Sequence, residues 1–318
     1  MEGKNNLTEQ RQLYSNGKLL LSGEYFVLEG AKSLALPTAC GQDMEIEVLT
    51  EPQLSWKSFN NDGTCWLEAI FELPKLRLIS ATFDADEDGG QLGVAEKLFE
   101  ILKEARKLNP EFLNQSLGFS IKTHLTFPRY WGLGTSSTLI NNLANWAVVN
   151  PYSLLQNTFG GSGYDIACAN HNSPILFQIK KDKPMVKEVD FNPIFKDQLY
   201  FIYLNKKRNS RDAIKKFKSI YTPLKSEIEQ ISELTEAFLI CEHLDDFERL
   251  MKEHEQVVAS TLHEDPIQKL MFSDYFGQTK SLGAWGGDFI LATGNSNTPT
   301  YFNHKGFQTV IPYSNLIL

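Results

Sequence analysis

Pro128-Arg129-Tyr130-Trp131-Gly132-Leu133-Gly134-Thr135-Ser136-Ser137-Thr138-Leu139-Ile140 is the stretch from which the rest of the 318-residue chain can be read. A β-rich segment runs into it and a helical pattern leaves it. Gly132 and Gly134 let the backbone turn tightly and admit a ligand close to the main chain. Thr135, Ser136 and Ser137 are residues that start helices. Backbone N–H groups at such a start face outward and favour an anion. The hydroxyls add phosphate contacts or a magnesium ligand. The plain alternative is a strand–loop–helix junction with a Ser/Thr cap. No Gly-Lys-Ser/Thr closes the run, so it is not a P-loop, and it is not a dinucleotide fingerprint.

Working outward, residues 117–126 alternate as a strand, and residues 138–149 form a helix ended by Asn150-Pro151. A short helix is expected over 152–158, a glycine-rich loop over 159–163, a helical turn over 164–170 and a strand over 174–179. On the N-terminal side, residues 1–13 read as polar and frayed. Leu19-Leu20-Leu21 and Tyr25-Phe26-Val27-Leu28 read as two short strands around Gly23. Residues 44–49 alternate, Asn60-Asn61-Asp62-Gly63 makes a turn between strands, 84–90 is a charged loop, and 94–108 has helical periodicity. Beyond a polar junction at 180–184, residues 199–204 form a strong strand. A basic loop, Lys206-Lys207-Arg208-Asn209-Ser210-Arg211, follows. Helical patterns then occupy roughly 223–240, 243–260 and 266–277. A second glycine loop, Gly283-Ala284-Trp285-Gly286-Gly287-Asp288, feeds a strand at 289–292, and β-like pieces at 299–303 and 307–311 close the chain. Strands and helices mix without a regular βαβ rhythm, which favours two α+β domains over a doubly wound sheet.

Composition narrows the function. Apolar residues make up 42% and charged residues 22%, as in a soluble globular protein. A net charge of −8 argues against nucleic acid or an acidic membrane as the main partner, yet permits a local basic pocket. The 4 cysteines are widely spaced and suggest neither a zinc site nor a disulfide framework. A reduced, cytoplasmic setting follows, with no signal segment and no bilayer-spanning run. The 6 histidines lack metal-binding spacing. His254 and His263 read as a helix-surface and a helix-end residue.

Several single residues invite chemistry. Lys18, in Asn16-Gly17-Lys18, is a solvated lysine beside a turn or a phosphate contact. Asp165 is a helix cap or a base beside an acceptor hydroxyl. Cys168 reads as a small buried filler. Glu24 binds a nucleotide or metal, or ends a surface turn, and Asp288 has the same ambiguity. Trp131 and Trp285 are core anchors or walls of a nucleotide pocket.

Four stretches, in order, resemble the signature motifs of the GHMP small-molecule kinases, the superfamily of galactokinase, homoserine kinase, mevalonate kinase and phosphomevalonate kinase. Asn16-Gly17-Lys18-Leu19-Leu20-Leu21-Ser22-Gly23-Glu24-Tyr25, with Val27-Leu28-Glu29-Gly30, resembles the first motif of the mevalonate-pathway branch. Gly132-Leu133-Gly134-Thr135-Ser136-Ser137 resembles the ATP-phosphate loop. Gly161-Ser162-Gly163-Tyr164-Asp165-Ile166-Ala167 looks like the segment carrying the catalytic aspartate. Residues 283–288 resemble the third, glycine-rich motif.

The resemblance implies an α+β, two-domain fold: a ribosomal-protein-S5-like N-terminal ATP-binding domain over 1–182 and a ferredoxin-like C-terminal domain over 183–318. It implies ATP and Mg2+ as cofactors, a small-molecule substrate, no nucleic-acid or membrane partner, and a monomer or homodimer. By position, Asp165 and Lys18 would be catalytic. Gly132, Leu133, Gly134, Thr135, Ser136 and Ser137 would hold the ATP phosphates, with Ser136 also on the metal. Lys206, Arg208, Ser210, Arg211, Gly286 and Gly287 would face the acceptor. The stretch between the phosphate loop and Asp165 is short for the family, and the chain departs from it in three further respects. Asn16 replaces a proline, two tryptophans stand beside the glycine loops, and no acidic residue lies between Asn150 and Gly163, where mevalonate kinases carry a magnesium-binding glutamate. The Glu24-Tyr25 string and Asp288 look closer to phosphomevalonate kinase, and the basic loop suits a phosphorylated or carboxylated acceptor. Mevalonate kinase, another alcohol or sugar kinase, a diphosphomevalonate-type decarboxylase and a non-catalytic ligand-binding relative are the further readings.

Overall fold

The structure, a computed structural model, describes residues 10–83, 91–206, 210–220 and 225–318. In chain order the elements are β1 (Arg11–Ser22), a 3-10 turn (Phe26–Glu29), β2 (Ser33–Leu49), β3 (Gln53–Phe59), β4 (Cys65–Glu72), β5 (Arg77–Phe83), α1 (Gln91–Leu108) and β6 (Gly118–Leu125). Then follow α2 (Thr135–Ala147), α3 (Pro151–Thr158), α4 (Tyr164–Asn170), β7 (Ile175–Lys180), β8 (Lys183–Glu188) and β9 (Leu199–Tyr203). The remainder is α5 (Ser210–Ile220), α6 (Lys225–Leu239), α7 (Leu244–Leu262), α8 (Ile267–Met271), β10 (Thr279–Ser281), β11 (Phe289–Thr293), α9 (Thr298–His304), β12 (Val310–Pro312) and α10 (Tyr313–Leu316). Among the described residues no helix is long and apolar enough to cross a membrane.

The chain divides into two compact units, one of residues 1–16, 40–129 and 134–170, the other of 17–39, 130–133 and 171–318. The position 182/183 falls in the tight turn of the β7–β8 hairpin, where Lys180 pairs with Lys183.

In the first unit the strand order is β5-β4-β3-β6-β2. β3 and β6 run parallel, with Trp56 opposite Ile121, and β6 is antiparallel to β2, with Ile121 opposite Ile46. Alternation explains the burial: in β3, Leu54, Trp56 and Ser58 point inward while their neighbours are partly exposed. Helix α1 answers with Leu98, Ile101, Leu102 and Ala105, one apolar stripe at helical spacing. Ile140, Leu143 and Leu154 from α2 and α3 complete this core. Asn150 caps α3, accepting from the N–H groups of Tyr152 (2.9 Å) and Ser153 (3.1 Å).

The second unit holds an antiparallel sheet of order β10-β11-β9-β12. Ile202 and Tyr200 of β9, Ile290 and Ala292 of β11, and Phe272, Tyr275 and Phe302 form its core. The start of β2 pairs here with β7, Leu34 opposite Leu176.

Most elements fall where periodicity places them, and the exceptions have causes. Residues 25–28 are not a strand but the 3-10 turn, because Gly23 (φ 95°), Tyr25 (φ 66°) and Gly30 (φ 87°) bend the chain at both ends. Strand β1 begins at Arg11, earlier than a frayed terminus would allow; residues 1–9 lie outside the described residues, as does the 84–90 loop. The 206–211 loop is cut short, since α5 opens at Ser210; residues 207–209 are outside the described set. The helix expected over 266–277 is confined to α8. Residues 299–303 form a helix rather than a strand. Pro299 suits a first turn, and Phe302 packs edge-on against Phe272 at 5.2 Å, so tertiary contact overrides β-propensity.

Candidate functional site

Three separated glycine-bearing stretches meet within the second unit. The N–H of Lys18 donates to the carbonyl of Leu133 at 2.9 Å, tying the first stretch to the loop at 130–133. On that loop Gly132 has φ 71°, and a side chain there would begin 2.4 Å from Oδ2 of Asp288. Only glycine leaves room for that carboxylate. Asp288 is buried and itself holds a left-handed backbone, φ 50°. Its N–H donates to the Lys206 carbonyl (2.8 Å), and its own carbonyl accepts from Leu204 N–H (2.8 Å). Lys206, Asp288, Gly132 and Lys18 are thereby brought together although they span most of the sequence. Gly286 and Gly287 lie in the same loop, Gly286 with φ 71°.

Aromatic rings frame this cluster. Trp131 packs edge-on against Phe289 at 5.5 Å and lies 6.2 Å from Tyr203. Trp131 is therefore an anchored, half-buried ring. The Tyr203 hydroxyl donates to the Tyr130 carbonyl at 3.2 Å, and its phenol is pushed up to about 12 by burial and then by the charge of Asp288.

The second unit also holds a buried group of ionisable residues, one of which, His254, the sequence places on a helix surface. Glu24 and His254 are both buried, so neither ends a surface turn nor lines a helix surface. Lys280, also buried, donates to Glu24 Oε1 at 2.5 Å. Gly23 N–H donates to His254 Nε2 at 2.9 Å, which makes that nitrogen an acceptor; Glu24 Oε2 sits 3.3 Å from it. Glu24 Oε2 and His254 Nδ1 have no hydrogen-bond partner among the described residues. Burial raises the Glu24 carboxyl to about 7 against the opposing pull of Lys280. Burial, and then the Lys280 charge, push His254 well below the usual 6.5. Neighbouring Glu255 accepts from the N–H groups of Ile267 (3.2 Å) and Ser281 (3.0 Å). The position of His254 is recoverable from spacing: Phe247, Leu250, Met251, His254 and Val258 form one buried stripe of α7.

The first unit carries the remaining candidates. Helix α2 starts from Gly134, φ 96°, with no side-chain cap. The Ser137 hydroxyl donates to the Gly134 carbonyl at 2.8 Å, and the buried Thr138 hydroxyl donates to Gln42 Oε1 at 2.9 Å. These two hydroxyls are used locally, while Ser136 is exposed on the first turn. An uncapped helix start with an outward serine fits a phosphate.

Asp165 stands in the first turn of α4, half-buried, with Oδ1 accepting from Ile166 N–H at 3.1 Å. The glycines before it, Gly160, Gly161 and Gly163, all have positive φ. The Tyr152 phenol is raised to about 12 by burial and next by the Asp165 charge. Cys168 is fully buried, as a filler should be. Polar side chains join the two helices: Asn170 Nδ2 donates to Asn141 Oδ1 (2.7 Å), and Asn141 Nδ2 donates to Ser15 Oγ (2.9 Å). Ser15 Oγ donates to Asn142 Oδ1 (2.7 Å), and Asn142 Nδ2 to the Gln42 carbonyl (2.9 Å). Satisfied buried amides of this kind fix one helix arrangement.

The described residues contain no cluster of three or more His, Cys, Asp or Glu side chains able to hold a metal. Mg2+ needs few protein ligands, because that ion keeps waters and takes substrate phosphate oxygens. Of the acceptor-facing candidates, Lys206 is placed against Asp288, and Ser210 and Arg211 open α5. Arg208 lies outside the described residues.

No family model matches the chain, and no curated protein matches it. Solved structures do. The Methanococcus jannaschii mevalonate kinase is similar with a TM-score of 0.67 at 15% identity, over 93% of this chain and 94% of that one. The Streptococcus pneumoniae phosphomevalonate kinase bound to phosphomevalonate and AMPPNP gives 0.63 at 15%, over 97% and 98%. The Lactococcus lactis galactokinase bound to galactose gives 0.61 at 13%, over 96% and 94%. The structural neighbours are thus GHMP kinases, and the α+β fold of this chain matches theirs over nearly its full length.

Proposed function

We propose that this chain, which has the GHMP-kinase fold, is an ATP-dependent small-molecule kinase whose acceptor is phosphomevalonate. The observation that carries the reading is the meeting of Lys18, Gly132 and Asp288 in the second unit: three stretches that resemble the family's motifs are in contact. Residues 132–137 would surround the ATP phosphates through backbone N–H groups. Ser136 would hold Mg2+, which offsets charge on the transferring group. The transfer forms a bond from an acceptor oxygen to the γ-phosphorus and breaks the bond to the β–γ bridging oxygen, leaving ADP. With an alcohol acceptor the displaced proton passes to Asp165. A phosphate acceptor is already anionic, so Asp165 there orients it and Lys18 offsets developing charge.

The acceptor choice rests on the basic segment. Lys206 is exposed and its carbonyl accepts from the Asp288 N–H, and the sequence alone assigns Arg208, Ser210, Arg211, Gly286 and Gly287 to the acceptor. Arginine grips phosphate bidentately, so a phosphorylated acceptor matches this segment better than a neutral one. The test is ATP turnover with phosphomevalonate, mevalonate and galactose in parallel, with the product followed by phosphorus NMR. Phosphomevalonate should be converted fastest, and Arg208→Ala or Arg211→Ala should raise its KM more than that of ATP. Faster use of mevalonate would move the acceptor one step earlier in chemistry and leave the kinase reading standing. ATP turnover with none of them, together with no nucleotide binding, would overturn it.

A further inference from the structure

Three consecutive residues, Gly23, Glu24 and Tyr25, each grip a different element of the second unit. Gly23 N–H donates to His254 on α7, and Glu24 accepts from Lys280 on β10. The Tyr25 hydroxyl accepts from the backbone N–H of Trp285 at 2.8 Å, at the tip of the 283–288 loop. The Tyr25 ring stacks on Phe217 of α5, centroids 5.4 Å apart. Tyr25 pays for this reach with φ 66°, a region that bulky side chains rarely occupy. Such a conformation persists only where surrounding contacts over-determine it. Here the corner is held on both sides: Gly23 has φ 95°, and a Cβ on it would meet Ser33 Oγ at 2.0 Å.

The base of the 283–288 loop is secured by the main chain, through Leu282 N–H to Phe289 O (3.1 Å) and the two bonds of Asp288. Its tip contains three glycines, Gly283, Gly286 and Gly287, and so has wide conformational freedom. The Tyr25 hydroxyl takes up that freedom at the residue next to Gly286. The loop in turn ends at Asp288, whose carboxylate braces Gly132.

We propose that Tyr25 is a positioning residue: its hydroxyl holds the 283–288 loop where Asp288 can brace Gly132, and so sets nucleotide affinity. The inference rests on the assignment of residues 132–137 to the ATP phosphates. Losing the hydroxyl leaves the loop in place in only a fraction of molecules. Ligand then binds more weakly by that fraction, while bound nucleotide re-selects the held state. The signature is a raised KM and Kd for nucleotide with kcat preserved.

Tyr25→Phe removes the acceptor oxygen and keeps the ring on Phe217. Two measurements on the full chain decide the matter. Amide hydrogen exchange across 283–288 should quicken in Tyr25→Phe while exchange in β9 and β11 is unchanged. Calorimetric AMPPNP binding with Mg2+ should weaken roughly 3–10-fold, the effect of one ordinary hydrogen bond, and the ATP KM should rise by a like factor with kcat within about twofold. Unchanged exchange at the loop tip would overturn the holding role. Quickened exchange with unaltered AMPPNP affinity would overturn the link to nucleotide. If instead the parent chain binds no AMPPNP, the kinase reading itself fails, and the exchange result still reports on whether Tyr25 holds the loop.

Discussion

The carboxylate of Asp288 fills the space beside Gly132 that any larger residue would need, 2.4 Å from where a Cβ would stand. The main chain of Asp288 is bonded through its N–H to the Lys206 carbonyl and through its own carbonyl to the Leu204 N–H, just beyond β9. Gly132→Ala therefore carries a double cost, the clash and a side chain at φ 71°. We expect it to lower stability by roughly 1–3 kcal/mol and to weaken AMPPNP binding. Urea unfolding and calorimetry on the same preparation would check this. An alanine variant with parental stability and affinity would mean that the contact is not held in solution.

Asp165→Asn should leave the fold intact, since Asn can still accept from Ile166 N–H. Its single-turnover rate should fall by roughly 10²-fold with phosphomevalonate and towards roughly 10⁴-fold with an alcohol acceptor, the span typical of a positioned acid–base group. Lys18→Met keeps the main-chain bond to Leu133 and removes only the charge, so it should impair transfer more than folding. Loss of folded protein in either variant would point to a capping or structural role instead.

Ser136→Ala tests the metal assignment separately from the fold. The residue is exposed, unlike Ser137 and Thr138, so the substitution should not shift the melting temperature measurably. Turnover should drop and the Mg2+ concentration needed for half-maximal rate should rise. A parental rate and an unaltered Mg2+ titration would remove Ser136 from the metal.

The buried group around Lys280 makes a signed pH prediction. Glu24 is raised from 4.5 to about 7, so the folded state holds its proton more tightly than the unfolded chain. Its contribution to stability is complete below about 4.5 and is lost as pH rises to about 7. His254 is lowered from 6.5, so its contribution is present above 6.5 and lost as pH falls. Lys280 and Glu255 face the same group and remain in both variants. Glu24→Gln should therefore make stability climb more steeply with pH between 4.5 and 7, and His254→Gln should flatten or reverse the climb. Urea midpoints measured across that window would show opposite tilts; tilts of the same sign would refute the assignment.

Much of this protein can be read along one dimension. Helix α1 announces itself through Leu98, Ile101 and Leu102, and β3 through alternation, because each exposes one face to a core and repeats with its own period. The loops around Gly132 and Gly163 are legible for the same reason: glycines mark positive φ wherever a chain must turn sharply. What local sequence cannot carry is which distant residue fills a given space. Nothing near Lys280 or Glu24 reveals that the two meet, 256 positions apart, in the buried interior. Nor does Tyr25, read as part of a strand, disclose a strained corner whose hydroxyl reaches Trp285. Periodicity and turn chemistry are local properties, settled by backbone sterics within a few residues. The pairing of Asp288 with Gly132, the contact of His254 with Gly23 and the shifted proton affinities come from packing, where desolvation and close approach are set by residues that only the folded chain brings into contact.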